Sequence, residues 1–329
     1  MKVLIFLIFF TFFIKISYSI ELNNTLSTSY NFYPHNLDGS INSKKSSELK
    51  VEAYYDKDRF RFASEIIGRI DSEDSGRRII EAREAFINSM YNNLDFFIGH
   101  RQVFWGVAES KNVVDIINQK DNAANQGNDA KLGAPSISIE KLTDFGDFQI
   151  WYLPKFRNRT FNDSDSHPSN GLDVKSSSYE RKNGQNADDL ALRLSSSMDD
   201  WDYAGSLFYG TAREPLFKSS NSNNGLQAFY PKLKSLGLEG QFTGEEMLLK
   251  WESLSGKQSD EHFFSLVSGL EYTSYNVLKK KWDLGIILEY QFDDRAQSVS
   301  NEFFVLGKRI IFNDTLDSNI LALFSFDNN

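Results

Sequence analysis

The strongest constraint on this chain is a period of two. Between residues 282 and 292, Trp282, Leu284, Ile286, Leu288, Tyr290 and Phe292 alternate with Asp283, Gly285, Glu289 and Gln291. A strand points successive side chains to opposite faces, so this spacing makes one apolar and one polar face. Similar segments are read at 48–56, 58–70, 78–91, 94–105, 136–143, 146–157, 188–199, 201–212, 232–243, 246–255, 262–274, 281–293, 301–313 and 319–327, with a weak additional strand near 25–33.

The connections alternate in length. Compact turns fall at 56–58, 91–95, 144–146, 199–200, 243–245, 274–280 and 313–317, and loops at 71–77, 106–135, 158–187, 213–231, 256–261 and 294–300. A soluble sandwich has no reason to alternate in this way. A closed antiparallel barrel in an outer membrane does, with tight turns on one side of the bilayer and long loops on the other. The expected fold is therefore all-β, an antiparallel transmembrane barrel of about 14–16 strands. By parity the 319–327 strand ends on the long-loop side. Three endings fit that count: further strands beyond Asn329, an odd-stranded barrel, or one miscounted strand. Of these, a barrel incomplete at its C-terminus is the expectation carried forward. No fixed-period repeat points to a propeller or solenoid.

The mean hydropathy of −0.43 fits this reading, because only alternate strand residues face lipid. The 14% aromatic content suits a lipid band with girdles. Residues 1–19 read as a cleaved signal peptide: Lys2, an apolar run of 12 residues from Val3 to Ile14 interrupted only by Thr11, then Ser17-Tyr18-Ser19. That run is too short to span a bilayer, which takes about 20 residues. Residues 20–329 then form the barrel domain of a Gram-negative envelope protein. The chain has no cysteine, which excludes disulfides and thiolate metal sites, and its net charge of −9 argues against a nucleic-acid-binding surface.

Charged side chains are costly against lipid, so the polar face must turn inward. Phe60, Phe62, Ile66 and Ile70 share one side of their strand, while Arg59, Arg61, Glu65 and Arg69 share the other. Arg101, Glu239, Lys250, Glu252, Glu271, Glu289 and Arg309 are further candidates for this inner face. Two readings stand: a pore wall carrying both signs of charge, or paired charges satisfying one another inside a filled barrel. Glu81-Ala82-Arg83-Glu84 puts charges on both faces, which places one of them at a rim or a bulge.

The stretch after Trp105-Gly106 has Val113, Val114, Ile116 and Ile117 at helical spacing, with Ser110 or Asn112 available as a cap. A short helix in loop 106–135 is expected, folded inward as a constriction or packed outward on the rim. Val113, Asp115, Ile116, Asn118 and Asp121 are its candidate constriction residues.

This stretch also resembles a group of largely uncharacterised Gram-negative outer-membrane barrels. Their strand reads GRQ, then W-G, then D-x-x-N-P-x-D. The matching residues here are Gly99, Arg101, Gln102, Trp105, Gly106, Asp115, Asn118 and Asp121, with His100 inserted and Gln119 where proline is usual. The segments 248–254, 268–275, 285–295 and 312–318 are similar to that group too, and the style is more distantly similar to alginate-export-like porins. The resemblance implies a barrel with a porin-like role and no catalytic residues.

The four histidines, His35, His100, His167 and His262, are far apart, and none has metal-pair spacing. There is no nucleophile elbow and no phosphate loop. Neither an enzyme, a cofactor nor a metal site is expected. The expected function is passive passage of small hydrophilic solutes across the outer membrane by a porin-like channel. The alternative is a non-conducting barrel whose loops bind a ligand or partner. Expected partners are lipid, solutes and a homo-oligomer, with no nucleic acid.

Overall fold

The computed structural model describes residues 20–32, 43–124, 130–164, 173–220, 225–277, 282–295, 302–312 and 316–326, the last two by backbone only. The strands in chain order are β1 Ile20–Phe32, β2 Ser43–Lys57, β3 Phe60–Asp71, β4 Ile79–Tyr91, β5 Leu94–Arg101, β6 Gln119–Lys120, β7 Lys131–Leu132, β8 Ala134–Thr143, β9 Gly146–Leu153 and β10 Asp173–Tyr179. They continue with β11 Asp189–Met198, β12 Trp201–Thr211, β13 Leu216–Ser219, β14 Gly225–Tyr230, β15 Lys232–Thr243, β16 Met247–Gln258, β17 Glu261–Ser274, β18 Trp282–Asp293, β19 Glu302–Phe312 and β20 Leu316–Phe326.

Fifteen of these form one sheet in the order β1-β2-β3-β4-β5-β8-β9-β11-β12-β15-β16-β17-β18-β19-β20, every neighbouring pair antiparallel. This is the expected barrel sheet, and the weak first strand belongs to it. Among the described residues β1 and β20 do not pair, so the ring is open between them. The sheet alternates as the sequence requires, but with burial inverted from a soluble protein. Glu252 is fully buried while its neighbour Trp251 is 36% exposed. Leu236, Leu238, Leu249 and Leu288 are exposed, whereas Glu239, Lys250, Ser265 and Glu289 are buried. An apolar face this large, left uncovered, is the surface a bilayer solvates.

What covers the polar face is the chain that follows β5. The N–H of Val113 reaches Glu252 on β16 at 2.8 Å, and five residues later Asn118 Nδ2 donates to the Arg101 carbonyl at the end of β5 at 2.7 Å. Those strands stand six places apart in the sheet, about 29 Å if the sheet were flat. Five residues reach at most about 18 Å when straight, and here they bend at 113–114 and again at 117–118. The sheet therefore curves around its polar face.

Several expectations need correction. The segment expected to be a helix at 110–117 is irregular. Its amides donate to wall carboxylates instead of to carbonyls four residues back, so the helical ladder never forms. β5 ends at Arg101 rather than at residue 105, and β9 at Leu153 rather than 157, because the chain there turns off the sheet. The loop expected at 256–261 is a tight connection between Gln258 and Glu261, with Ser259 at φ 55°. The long loops also hold their own sheet, β10-β14-β13, packed on Phe156, Tyr179 and Tyr230. Of the rim or bulge expected at Glu81–Glu84, the structure has a bulge: pairing shifts register between Glu65 and Ile66, where Glu65 faces Glu84 and Ile66 faces Ala82.

Candidate functional site: a segment held on the polar face

Segment 102–124 is fastened to the sheet by side chains from distant strands. Glu252 Oε1 accepts the N–H groups of Val107 (2.6 Å) and Ala108 (2.8 Å), and its Oε2 those of Val113 (2.8 Å) and Val114 (3.4 Å). Two strands away, Glu289 accepts Glu109 N–H at 2.7 Å, Ser110 N–H at 2.8 Å and the Ser110 hydroxyl. Charge-assisted bonds of this kind are about twice as strong as neutral ones. Buried carboxylates are tolerable here because amide dipoles replace the water they lose. Lys250 bridges Glu109 (2.7 Å) and Glu271, and Lys111 reaches Asp293 at 2.8 Å.

Apolar contacts complete the fit. Trp105, Val113, Val114, Ile116 and Ile117 join a buried cluster with inward-facing Trp151, Phe208, Leu254, Phe263 and Val267. Gly106 sits at φ +108°, and a Cβ there would come within 2.5 Å of Glu252 Oε1 and of the Asn112 side-chain amide. Only glycine lets the backbone pass so close to the carboxylate. Gly237 on β15 leaves room for Val114, whose Cγ1 would be 3.2 Å from a Cβ.

Asp115, Asn118 and Asp121, the last three polar residues shared with the resembled group, each hold one bend. Asp115 pairs with Lys131 and accepts Trp105 N–H. Asn118 Oδ1 accepts Val103 N–H at 2.8 Å, while its Nδ2 donates to Leu132 O at 3.1 Å as well as to Arg101 O. Asp121 takes Arg69 and Arg83, both at 3.3 Å, and the Thr160 hydroxyl at 2.6 Å. Arg69 also donates to the Ala123 carbonyl at 2.9 Å and pairs with Glu48 at 2.8 Å.

The other candidates are scattered. Arg61 pairs with Asp56 (3.1 Å) and Glu65 with Arg83 (3.8 Å). Arg101 bonds Glu140 and Ser138, both at 2.6 Å, with its guanidinium 3.6 Å from the Phe97 ring centre and 4.5 Å from that of Trp151. Glu239 pairs with Arg193. Arg59 is a correction: it sits in the exposed turn before β3, off the wall, because the chain reverses at Asp58, whose φ is 56°. Arg309 faces Gly285 and Asn319 in the register of β19, and its side chain lies outside the described residues, as do His35 and His167. Among the described residues no group of His, Asp or Glu is arranged to hold a metal ion.

Several anchoring residues were not anticipated, among them Arg193, Asp293, Lys111 and Arg213. Arg193 and Asp293 occupy polar positions of alternating strands, so parity alone would have found them. Lys111 and Arg213 lie in loops, where no sequence signal marks them. Arg213 donates to Ile117 O at 2.8 Å and pairs with Asp189 at 2.7 Å.

Space remains on both sides of the segment. Toward the tight turns lies a cleft of about 510 Å³ bounded by Gly106, Val107, Asp147, Arg193, Asp202 and Glu239. Toward the long loops a smaller cavity of about 50 Å³ touches Lys111, Asp115, Lys131, Arg213 and Arg295.

No protein-family model matches this chain, and no curated protein matches it. Solved structures do. A loop-deletion mutant of OmpT, an outer membrane protein of Vibrio cholerae, is 9% identical with a TM-score of 0.51, covering 93% of this chain and 95% of that one. OmpF of Salmonella typhi in complex with daunomycin is 10% identical with a TM-score of 0.50, covering 94% and 91%. A mutant of the Rh. blastica porin is 10% identical with a TM-score of 0.48, covering 94% and 96%. The chain therefore shares the antiparallel barrel fold of the outer-membrane proteins OmpT and OmpF.

Proposed function

We propose that this protein is an outer-membrane channel through which small hydrophilic solutes pass down their gradient, with segment 102–124 as its constriction. The observation that carries the reading is the fastening of that segment to Glu252 and Glu289 on the polar face, with polar space on either side. Arg61, Glu65, Lys250 and Glu271 would line the passage and Asp115, Asn118 and Asp121 would shape its narrowest part. The leader at 1–19 would be cleaved on export, the apolar face would meet lipid and copies of the same chain, and no cofactor is required. The D-x-x-N-x-x-D residues Asp115, Asn118 and Asp121 support membership of the uncharacterised barrel group they resemble, since each of the three holds the segment.

The test is single-channel recording of the refolded full-length chain in a planar bilayer, beside a Glu252→Gln, Glu289→Gln double variant. Stable steps are expected, becoming larger or noisier once the segment is released. A folded, membrane-inserted protein that stays silent in both forms would overturn the channel reading. It would favour a non-conducting barrel that binds a partner at its rim, for which the separate sheet β10-β14-β13 in the long loops is the supporting observation.

A further inference from the structure

The cleft beneath Gly106 and Val107 carries more negative charge than its own walls neutralise. Asp144 comes from the β8–β9 turn, Asp147 from β9, Asp202 from β12 and Glu239 from β15. Arg193 is the one cation on this lining, which leaves a net charge of −3 from four carboxylates and one guanidinium. That guanidinium is already engaged: it donates to Glu239 Oε1 and lies 5.2 Å from the Trp105 ring centre. Asp147 and Asp202 have neutral donors, Gln149 Nε2 at 2.7 Å and the Ser197 hydroxyl, which leave their charges in place.

Glu239 supplies an independent sign of a missing partner. The residue is only 5% exposed, and its second oxygen, Oε2, is buried without a hydrogen-bond donor. Directly across the strand pair stands Glu252, whose oxygens are taken by segment amides, so it offers no proton donor when ionised. A buried carboxylate oxygen left unpaired is costly, and a ligand bringing an N–H donor with positive charge would relieve it. The carboxylates are spread around the cleft without converging as metal ligands. Such a layout suits a cation that is extended and carries several N–H groups. A volume of about 510 Å³ lies within the usual range of small-molecule sites.

The geometry points to a binding site for small organic cations, amines or guanidines, on the tight-turn side of the segment. Entry through the pore rests on the channel reading above; the site itself does not. The test is equilibrium dialysis of the refolded full-length chain in detergent at low salt, with labelled 1,4-diaminobutane as probe and succinate as the anionic control. Saturable binding of the diamine and none of succinate is expected. Asp147→Asn and Asp202→Asn should each weaken binding about threefold, and together about tenfold. Glu239→Gln tests the buried oxygen, and the two surface-side aspartate variants keep the test valid if that variant misfolds. Equal or unsaturable uptake by the wild type and the double variant would overturn the site. The same preparations are then recorded in bilayers with the diamine added from either side. Conductance without binding refutes the site and leaves the channel. Binding without conductance refutes the channel and leaves the site.

Discussion

Glu252 shows how one side chain can reshape twenty residues. Its two oxygens gather four backbone N–H groups from two separate turns of segment 102–124, and its own environment is fully buried. Hydrogen bonds to a charged group are worth about 1.5–3 kcal/mol each in net terms, and an unsatisfied amide costs a comparable amount. Glu252→Gln keeps the shape but replaces one acceptor oxygen by a donor that faces N–H groups. We expect it to loosen the segment by about 2–4 kcal/mol, read as faster trypsin cleavage at Lys111 and Lys120 in the inserted protein. Unchanged cleavage would mean that the apolar cluster alone holds the segment. The polar position of Glu252 was legible from Leu249 and Trp251, because a strand leaves it no other face. Its partners were not: residues 107–114 are some 140 positions away in sequence, and amide donors carry no residue identity.

At the scale of elements, the segment and the small loop sheet behave differently from what their local patterns suggest. Val113, Val114, Ile116 and Ile117 have helical spacing, yet the carboxylates of β16 and β18 compete successfully for the amides a helix would use. The apolar side chains still face the sheet, so the same residues pack without the helix. Ile117 is fully buried in the cluster, and Ile117→Ala should destabilise the docked segment by about 2–5 kcal/mol, measured by the denaturant midpoint of segment release. In the loop sheet, burial is the main cause that raises the Tyr230 phenol above its ordinary value of 10, with Tyr179 adding to it and Arg159 opposing. The neutral form is favoured by the folded state, so its contribution is intact below pH 10. It is lost as pH rises from 10 through the raised folded value. Unfolding of the loop sheet should therefore become easier above pH 10, and Tyr230→Phe should flatten that dependence. A slope unchanged by the variant would assign the effect elsewhere. None of β10, β13 or β14 was anticipated, since β10 is Ser-rich, β13 and β14 are only four and six residues long, and the sheet they form depends on Phe156, Tyr179 and Tyr230 for burial.

For the whole molecule the decisive property is which face meets which solvent. Leu236 is 44% exposed in the middle of β15, flanked by buried Ser235. Leu236→Arg should lower stability in lipid vesicles by about 2–4 kcal/mol, measured by reversible denaturation. Gln241→Arg, on the polar face of the same strand, should leave insertion unaffected. Equal costs at both positions would contradict the assignment of faces.

The antiparallel strands of the large sheet and the two faces they present were determined by the sequence alone. They follow from steric alternation along a strand and from the cost of charge in lipid, both of which are local rules. The path of segment 102–124, the pairing of Asp121 with Arg69 and Arg83, and the excess negative charge in the cleft were decided only by the tertiary structure. Those contacts join strands up to ten places apart in the sheet. They exist because the curved sheet brings its polar face around a segment whose own pattern predicts a helix.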